Sequence, residues 1–273
     1  MRPGGVRARP ARRTSFRSSS VIPCVCLALV CVLGAAVRAA AQDEKTTADS
    51  NPTRPILFSV RPEFYRIADG TWRMQAIGRY DQATMRNRRW FGGKRGMLVR
   101  LEVPVVSADT PAVSHASGFG DAYAQILTVP RLSGRFAFVA GTGLVLPTAT
   151  NNLLGTGQWI LAPTAAPIWF LRGVGMALIL VQDYVSVAGD DARPSVHFLA
   201  VTPTFVRSFA TRSWVLVDFE SKTDWRRDTT VFKSGVQLGR IFSGVGLWVK
   251  PEVAFGPNRG GNWNLKTGVV WYR

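Results

Sequence analysis

Along Val215-Leu216-Val217-Asp218-Phe219-Glu220-Ser221-Lys222, Val215, Val217 and Phe219 share one face while Asp218, Glu220 and Lys222 share the other. The same two-residue period sets Leu247, Val249, Pro251 and Val253 against Trp248, Lys250 and Glu252, and Phe232, Val236 and Leu238 against Lys233, Gly235 and Gln237. Successive side chains of an extended chain point to opposite sides, so each stretch is predicted to be a strand with one apolar and one polar face. About twelve such segments follow one another, near 56–67, 72–79, 96–106, 118–129, 136–146, 158–170, 173–187, 196–208, 213–224, 229–239, 245–255 and 263–272. Many are about ten residues long, enough for a tilted strand to cross a bilayer.

A soluble sandwich alternates in the same way, so the connections carry the distinction. With the first strand starting in the periplasm, the outward connections include 107–117, 147–157, 188–195 and 256–262, all long and polar, while the inward ones include 130–135, 171–172, 209–212 and 240–244, all short. Long outer loops alternating with short periplasmic turns are the pattern of an outer-membrane barrel. Aromatic residues gather near strand ends, among them Trp72, Trp159, Trp169, Phe170, Tyr184, Trp214, Trp263 and Tyr272, where a membrane barrel carries its girdles. An open sheet in lipid would leave backbone groups unpaired, so the sheet must close. The expected fold is all-β, an antiparallel transmembrane β-barrel of about 12 strands over residues 55–273, preceded by a short N-terminal segment at 42–54. The stretch 80–95, long and basic on the side of short turns, departs from this pattern, and a miscounted strand is the expected cause.

Upstream, residues 1–20 carry six arginines and no acid, Val21 to Val37 is nearly all apolar, and Ala39-Ala40-Ala41 offers a cleavage site before Gln42. This layout predicts a secretory signal peptide over residues 1–41. A membrane anchor would need ~17–25 uncharged residues, and Arg38 closes the run at the short limit. Cys24, Cys26 and Cys31 all fall in the leader, so the exported chain is expected to hold neither a disulfide nor a cysteine metal site. Removing the seven arginines of residues 1–41 lowers the formal charge from +17 to +10. A basic surface suits outer-membrane lipid, lipopolysaccharide or anionic solutes, and export argues against nucleic acid.

Five G-x-G pairs occur, at Gly118/Gly120, Gly141/Gly143, Gly155/Gly157, Gly173/Gly175 and Gly244/Gly246. None precedes Lys-Ser/Thr and none opens a helix in a βαβ unit, so a phosphate loop is not expected. Their spacing puts both glycines on one strand face, where the wall can bend or leave room inside, and for Gly155/Gly157, just before a strand, the same reading applies at a loop end. Four stretches, "GFGDAYAQILTVP" (118–130), "GLVLPTATNNLLGTGQW" (143–159), "VQDYVSVAGDD" (181–191) and "DWRRDTTVFKSGVQLGRIF" (224–242), resemble in order the outer-membrane β-barrel family named for the MetA pathway of phenol degradation. The block from Leu-Pro-Thr to Leu-Gly-Thr-Gly is the most specific part. The resemblance implies a transporter of the Gram-negative outer membrane, suspected of moving hydrophobic or aromatic compounds. Such chains commonly end in Phe, whereas this one ends Trp271-Tyr272-Arg273.

Only His115 and His197 are present, so a histidine-rich metal site is excluded and no metal or cofactor is expected. His115-Ala116-Ser117 has the H-x-S arrangement of outer-membrane lipid hydrolases, in which His activates Ser. The preferred reading of "SADTPAVSHAS" is a polar loop, and no enzymatic activity is expected. Strand parity turns Arg61, Glu63, Arg73, Arg100, Glu102, Asp218, Glu220, Lys233, Lys250, Glu252 and Lys266 inward, because a base facing lipid at the midplane costs about 2–4 kcal/mol. All of these but Arg73 are the ten candidate lumen and selectivity residues, lining a pore that selects solutes by field or forming an ion network that braces the wall. A passive channel for a small solute leads, with a lipid-acting hydrolase or a non-conducting structural barrel as alternatives.

Overall fold

The computed structural model describes residues 56–67, 71–84, 96–110, 113–259 and 261–272. The expected leader, the segment 42–54 and residues 85–95 of the basic stretch lie outside the described residues. The strands are β1 (Ile56–Ile67), β2 (Trp72–Thr84), β3 (Met97–Thr110), β4 (Val113–Phe119), β5 (Ala122–Leu132), β6 (Phe136–Leu146) and β7 (Gln158–Leu171). They continue as β8 (Gly175–Gly189), β9 (His197–Ser208), β10 (Ser213–Asp224), β11 (Thr229–Phe242), β12 (Val245–Phe255) and β13 (Gly261–Tyr272).

All pairings are antiparallel, and β1 pairs with both β2 and β13, so the sheet closes on itself. One side of β3 is shared: Val105–Thr110 pairs with β4 and Met97–Glu102 with β5. Strands β4 and β5 are thus one stave interrupted at Gly120-Asp121, and the wall is a closed antiparallel barrel of twelve staves, as the sequence predicts. Closure satisfies the backbone without water, which a bilayer interior requires.

Two expectations change. Strand β2 runs to Thr84, which pairs with Met97, so part of the long inward connection is wall. The stretch 107–117 is a hairpin, not a loop: Ser107 pairs with Ser117 and Ala108 with Ala116. Its alternation is inverted, with Val106, Ala108 and Ala116 buried inside against Leu154 while His115 and Ser117 are exposed outside. Above the hydrocarbon the outer face meets water, so polar residues occupy it and the strand signal disappears.

Through the middle of the wall the outer face is apolar, with Val99, Leu101, Val103, Val217, Leu238 and Val249 exposed. Outer aromatic pairs lie toward both ends: Phe64 with Trp263 at 5.5 Å and Phe219 with Phe255 at 5.7 Å on one side, Phe58 with Trp271 at 5.5 Å and Phe136 with Trp169 at 6.0 Å on the other. Four aromatics expected in the girdles point inward instead. Trp214 is buried in the interior, Phe170 and Tyr272 pack against the same cluster, and Tyr184 stacks on Phe198. The turns at the opposite end from the long loops are tight. Ser243 and Gly244, at φ 45° and 87°, join β11 to β12 in the two-residue left-handed turn that matches strand twist.

Candidate functional site

The interior is built in three levels. The end nearest the short turns is filled by apolar side chains contributed by most of the strands, including Leu98, Val139, Ile168, Leu178, Trp214 and Trp248. The two indoles fit because their cross-strand partners are glycines: Trp214 faces Gly239 and Trp248 faces Gly268, where a methyl group would overlap the ring. This packed layer forms a floor.

Above it runs a belt of charge, in which the structure places all ten candidate lumen residues. On β1, the Arg61 guanidinium meets Glu63 at 2.7 Å and Glu102 of β3 at 3.9 Å. Glu63 also accepts bonds from the Tyr65 hydroxyl and from Gln75 of β2 at 2.5 Å, and it lies opposite Lys266 in the β1–β13 register. Lys266 reaches Glu252 at 2.9 Å, Lys250 reaches the same carboxylate at 2.8 Å, and Lys250 also pairs with Asp218. Lys250 crosses from β12 to β10 because Gly235 of the intervening β11 has no side chain to block it. Lys233 and Glu220 pair at 2.8 Å.

On the other side of the belt, Asp81 joins Arg79 at 2.6 Å and Arg100 at 3.0 Å. Arg100 donates to Gln125 at 3.4 Å, Gln125 to Thr164 at 3.2 Å, and Gln182 to the same hydroxyl at 3.3 Å. Among the described residues the belt holds six bases, Arg61, Arg79, Arg100, Lys233, Lys250 and Lys266, and six acids, Glu63, Asp81, Glu102, Asp218, Glu220 and Glu252. Paired charges are the form in which ionic groups tolerate burial, and the formal charges of these twelve groups cancel.

Toward the long loops, a cavity of about 890 Å³ opens over the belt. Tyr123, Tyr184, Phe198, Lys222 and Arg73 line its wall, with Arg226 and Arg227 at its rim. Tyr184 and Phe198 stack at 4.5 Å with planes 18° apart, and the Lys222 ammonium sits 3.7 Å from the Phe198 ring centre. Lys222 has no ion-pair partner among the described residues. A cation on the face of one ring of a stacked pair can hold a planar π system and, through its remaining N–H donors, an anionic substituent.

The loop 147–157 packs beside this cavity. The Asp121 carboxylate accepts bonds from Ala149 N at 3.2 Å and from the Thr156 hydroxyl at 2.8 Å, Arg193 donates to Gly155 O at 2.9 Å, and Leu154 is buried. Gly157 adopts φ 69° and a side chain on Gly155 would overlap Asp121, so these glycines shape a loop rather than a phosphate cradle. Gly141 and Gly143 both turn inward, and Gly143 leaves room for the Tyr123 ring. His115 and Ser117 share the outer face of β4, and no hydrogen bond joins them among the described residues.

Sequence parity missed Asp81 because the β2 prediction stopped at 79, and it passed over Arg79, the last residue of that span, although Arg79 shares the face of Arg73. Tyr65, Gln75, Gln125, Thr164 and Gln182 are uncharged and gave no signal, although their inward parity was available. The Tyr184, Phe198 and Lys222 grouping spans three strands, and register alone assembles it.

No family model matches the chain, and no curated protein matches it in sequence. Among solved structures it is similar to the COG4313 outer membrane channel from Pseudomonas putida F1, at 12% identity and a TM-score of 0.67, covering 84% of this chain and 100% of that one. It also matches the translocator domain of the autotransporter NalP from Neisseria meningitidis, at 8% identity, 79% and 87% coverage and a TM-score of 0.49. A further match is outer membrane phospholipase A from Escherichia coli, at 10% identity, 82% and 94% coverage and a TM-score of 0.48. The first likeness carries the fold: the chain adopts the architecture of an outer-membrane β-barrel.

Proposed function

We propose that the chain is a passive channel of the Gram-negative outer membrane for small aromatic or hydrophobic solutes, surrounded by membrane lipid and lipopolysaccharide. The observation that carries this reading is the cavity of about 890 Å³ with its Tyr184–Phe198 stack and the Lys222 ammonium, enclosed by a barrel whose outer face is apolar. That volume falls within the roughly 300–1,000 Å³ of small-molecule sites. Twelve strands lie between small barrels filled by side chains and porins with an aqueous channel. The likeness to a solved outer membrane channel is in keeping with it.

In this reading the solute enters between the long loops and rests on the aromatic wall. The belt beneath is neutral overall, so it braces the wall and disfavours an unpaired ion more than it selects a sign. The apolar floor sets the barrier, as a hydrophobic constriction does. Passage to the periplasm requires the Trp214 and Trp248 side chains to move aside.

The test is uptake of a small aromatic solute by liposomes carrying the purified protein. Uptake above that of protein-free liposomes is expected, and Tyr184→Ala lowers the apparent affinity by roughly 2- to 12-fold, the worth of an aromatic pair. Uptake no faster than in protein-free liposomes would overturn the reading. The packed floor favours one competing reading, a structural barrel that does not conduct, and the same measurement separates the two.

A further inference from the structure

The two rims of the barrel differ in charge. At the end bearing the short turns, Arg131, Arg135, Arg172, Arg207, Arg212 and Arg240 are all exposed, and the stretches 129–140, 168–180, 203–216 and 236–249 contain no Asp or Glu. The opposite rim is mixed, with Asp109, Asp190 and Asp228 among Arg66, Arg193 and Arg259. Three of the short-turn arginines share one construction. Arg131 lies over Phe136 at 5.7 Å, Arg207 over Phe209 at 5.5 Å and Arg240 over Phe242 at 5.3 Å.

Arg207 and Arg240 flank the start of β10, pairing with Val215 and Ser213, and Arg212 adds a third base in the turn between them. Their two strands are separated only by β10, so their backbones are about 10 Å apart. A guanidinium whose face rests on a phenyl ring keeps its N–H edge for a partner, and that edge matches a phosphate. Neither Arg207 nor Arg240 has an ion-pair partner among the described residues.

We infer that this corner binds the phosphate of an anionic phospholipid in the periplasmic leaflet. Three features select that occupant. Both arginines lie on the outer face, next to exposed Val217, Leu238 and Leu247, which offer a surface to acyl chains and nothing to a water-soluble polymer. Among the described residues, the strand ends that form the corner, 203–216 and 236–249, hold no Asp or Glu to receive the ammonium of a zwitterionic headgroup. The long-loop rim, where lipopolysaccharide phosphates would sit, carries acids among its bases and lacks the acid-free run of arginines.

The test is lipid titration of the detergent-solubilised, folded protein by native mass spectrometry, with phosphatidylglycerol and phosphatidylethanolamine as probes. The wild type is expected to bind phosphatidylglycerol at least about tenfold tighter, because both lipids offer the phosphate but the ammonium of phosphatidylethanolamine would stand among like charges. The double variant Arg207→Gln/Arg240→Gln loses that preference, Arg207→Lys/Arg240→Lys keeps part of it, and Arg259→Gln at the opposite rim leaves it intact. Equal binding of the two lipids by the wild type overturns the proposal, as does a preference surviving the Gln pair or lost equally in Arg259→Gln. Displacement of the lipid by millimolar inorganic phosphate would also overturn it, because the corner would then be a simple anion site. Should the Gln pair fail to fold, the Lys pair decides: binding indistinguishable from wild type counts against the fork geometry and overturns the proposal.

Discussion

Trp214 and Gly239 face each other across β10 and β11, and neither position is free to change alone. Gly239→Ala drives a methyl group into the indole, and overpacking of this kind costs about 1–3 kcal/mol. Urea titration of the folded barrel in detergent checks it, with Gly134→Ala as a contrasting glycine whose neighbourhood is open. Glu252 is the counterpart in the belt, holding Lys250, Lys266 and Asn264 with a side chain only 5% exposed. Glu252→Gln leaves two ammonium groups without that carboxylate, and loss of one partner of a buried pair costs about 3–5 kcal/mol. A midpoint unchanged in the same titration would mean that the belt contributes no stability.

The strands show why some of this was legible in the sequence and some was not. In the middle of β10, Val217 and Phe219 against Asp218 and Glu220 separates oil from charge cleanly, so parity fixed the orientation of all ten lumen candidates. At the lower end the same strand reads Trp214-Val215-Leu216, apolar on both faces, because one face meets lipid and the other the packed floor. Parity carries no information there, which is why Trp214 and Tyr272 were expected in a girdle. At the upper end of β3 and β4 the pattern inverts, and the hairpin read as a loop. Partners within the belt were never legible, since Asp218 meets Lys250 only through the register of three strands and the gap at Gly235. The outer face yields a direct test: Val217→Arg places a base against lipid and costs about 2–4 kcal/mol near the midplane. Folding free energies in lipid vesicles measure it, and a near-zero cost would contradict the placement of that face.

Taken across its full height, the barrel has a wide aromatic mouth, a neutral ionic waist and an apolar base. Each level follows from what the inward residues meet: water and loops above, paired charge in the middle, and other side chains below. Under the proposed function, solute movement is limited by the base, where Trp214 and Trp248 stand over Gly239 and Gly268. Planar-bilayer recording of the wild type beside Trp214→Ala/Trp248→Ala tests this most directly. Removing both indoles is expected to raise the conductance severalfold over the wild type while the barrel stays folded. A folded double variant whose conductance equals the wild type's, or in which neither protein conducts, would contradict the account.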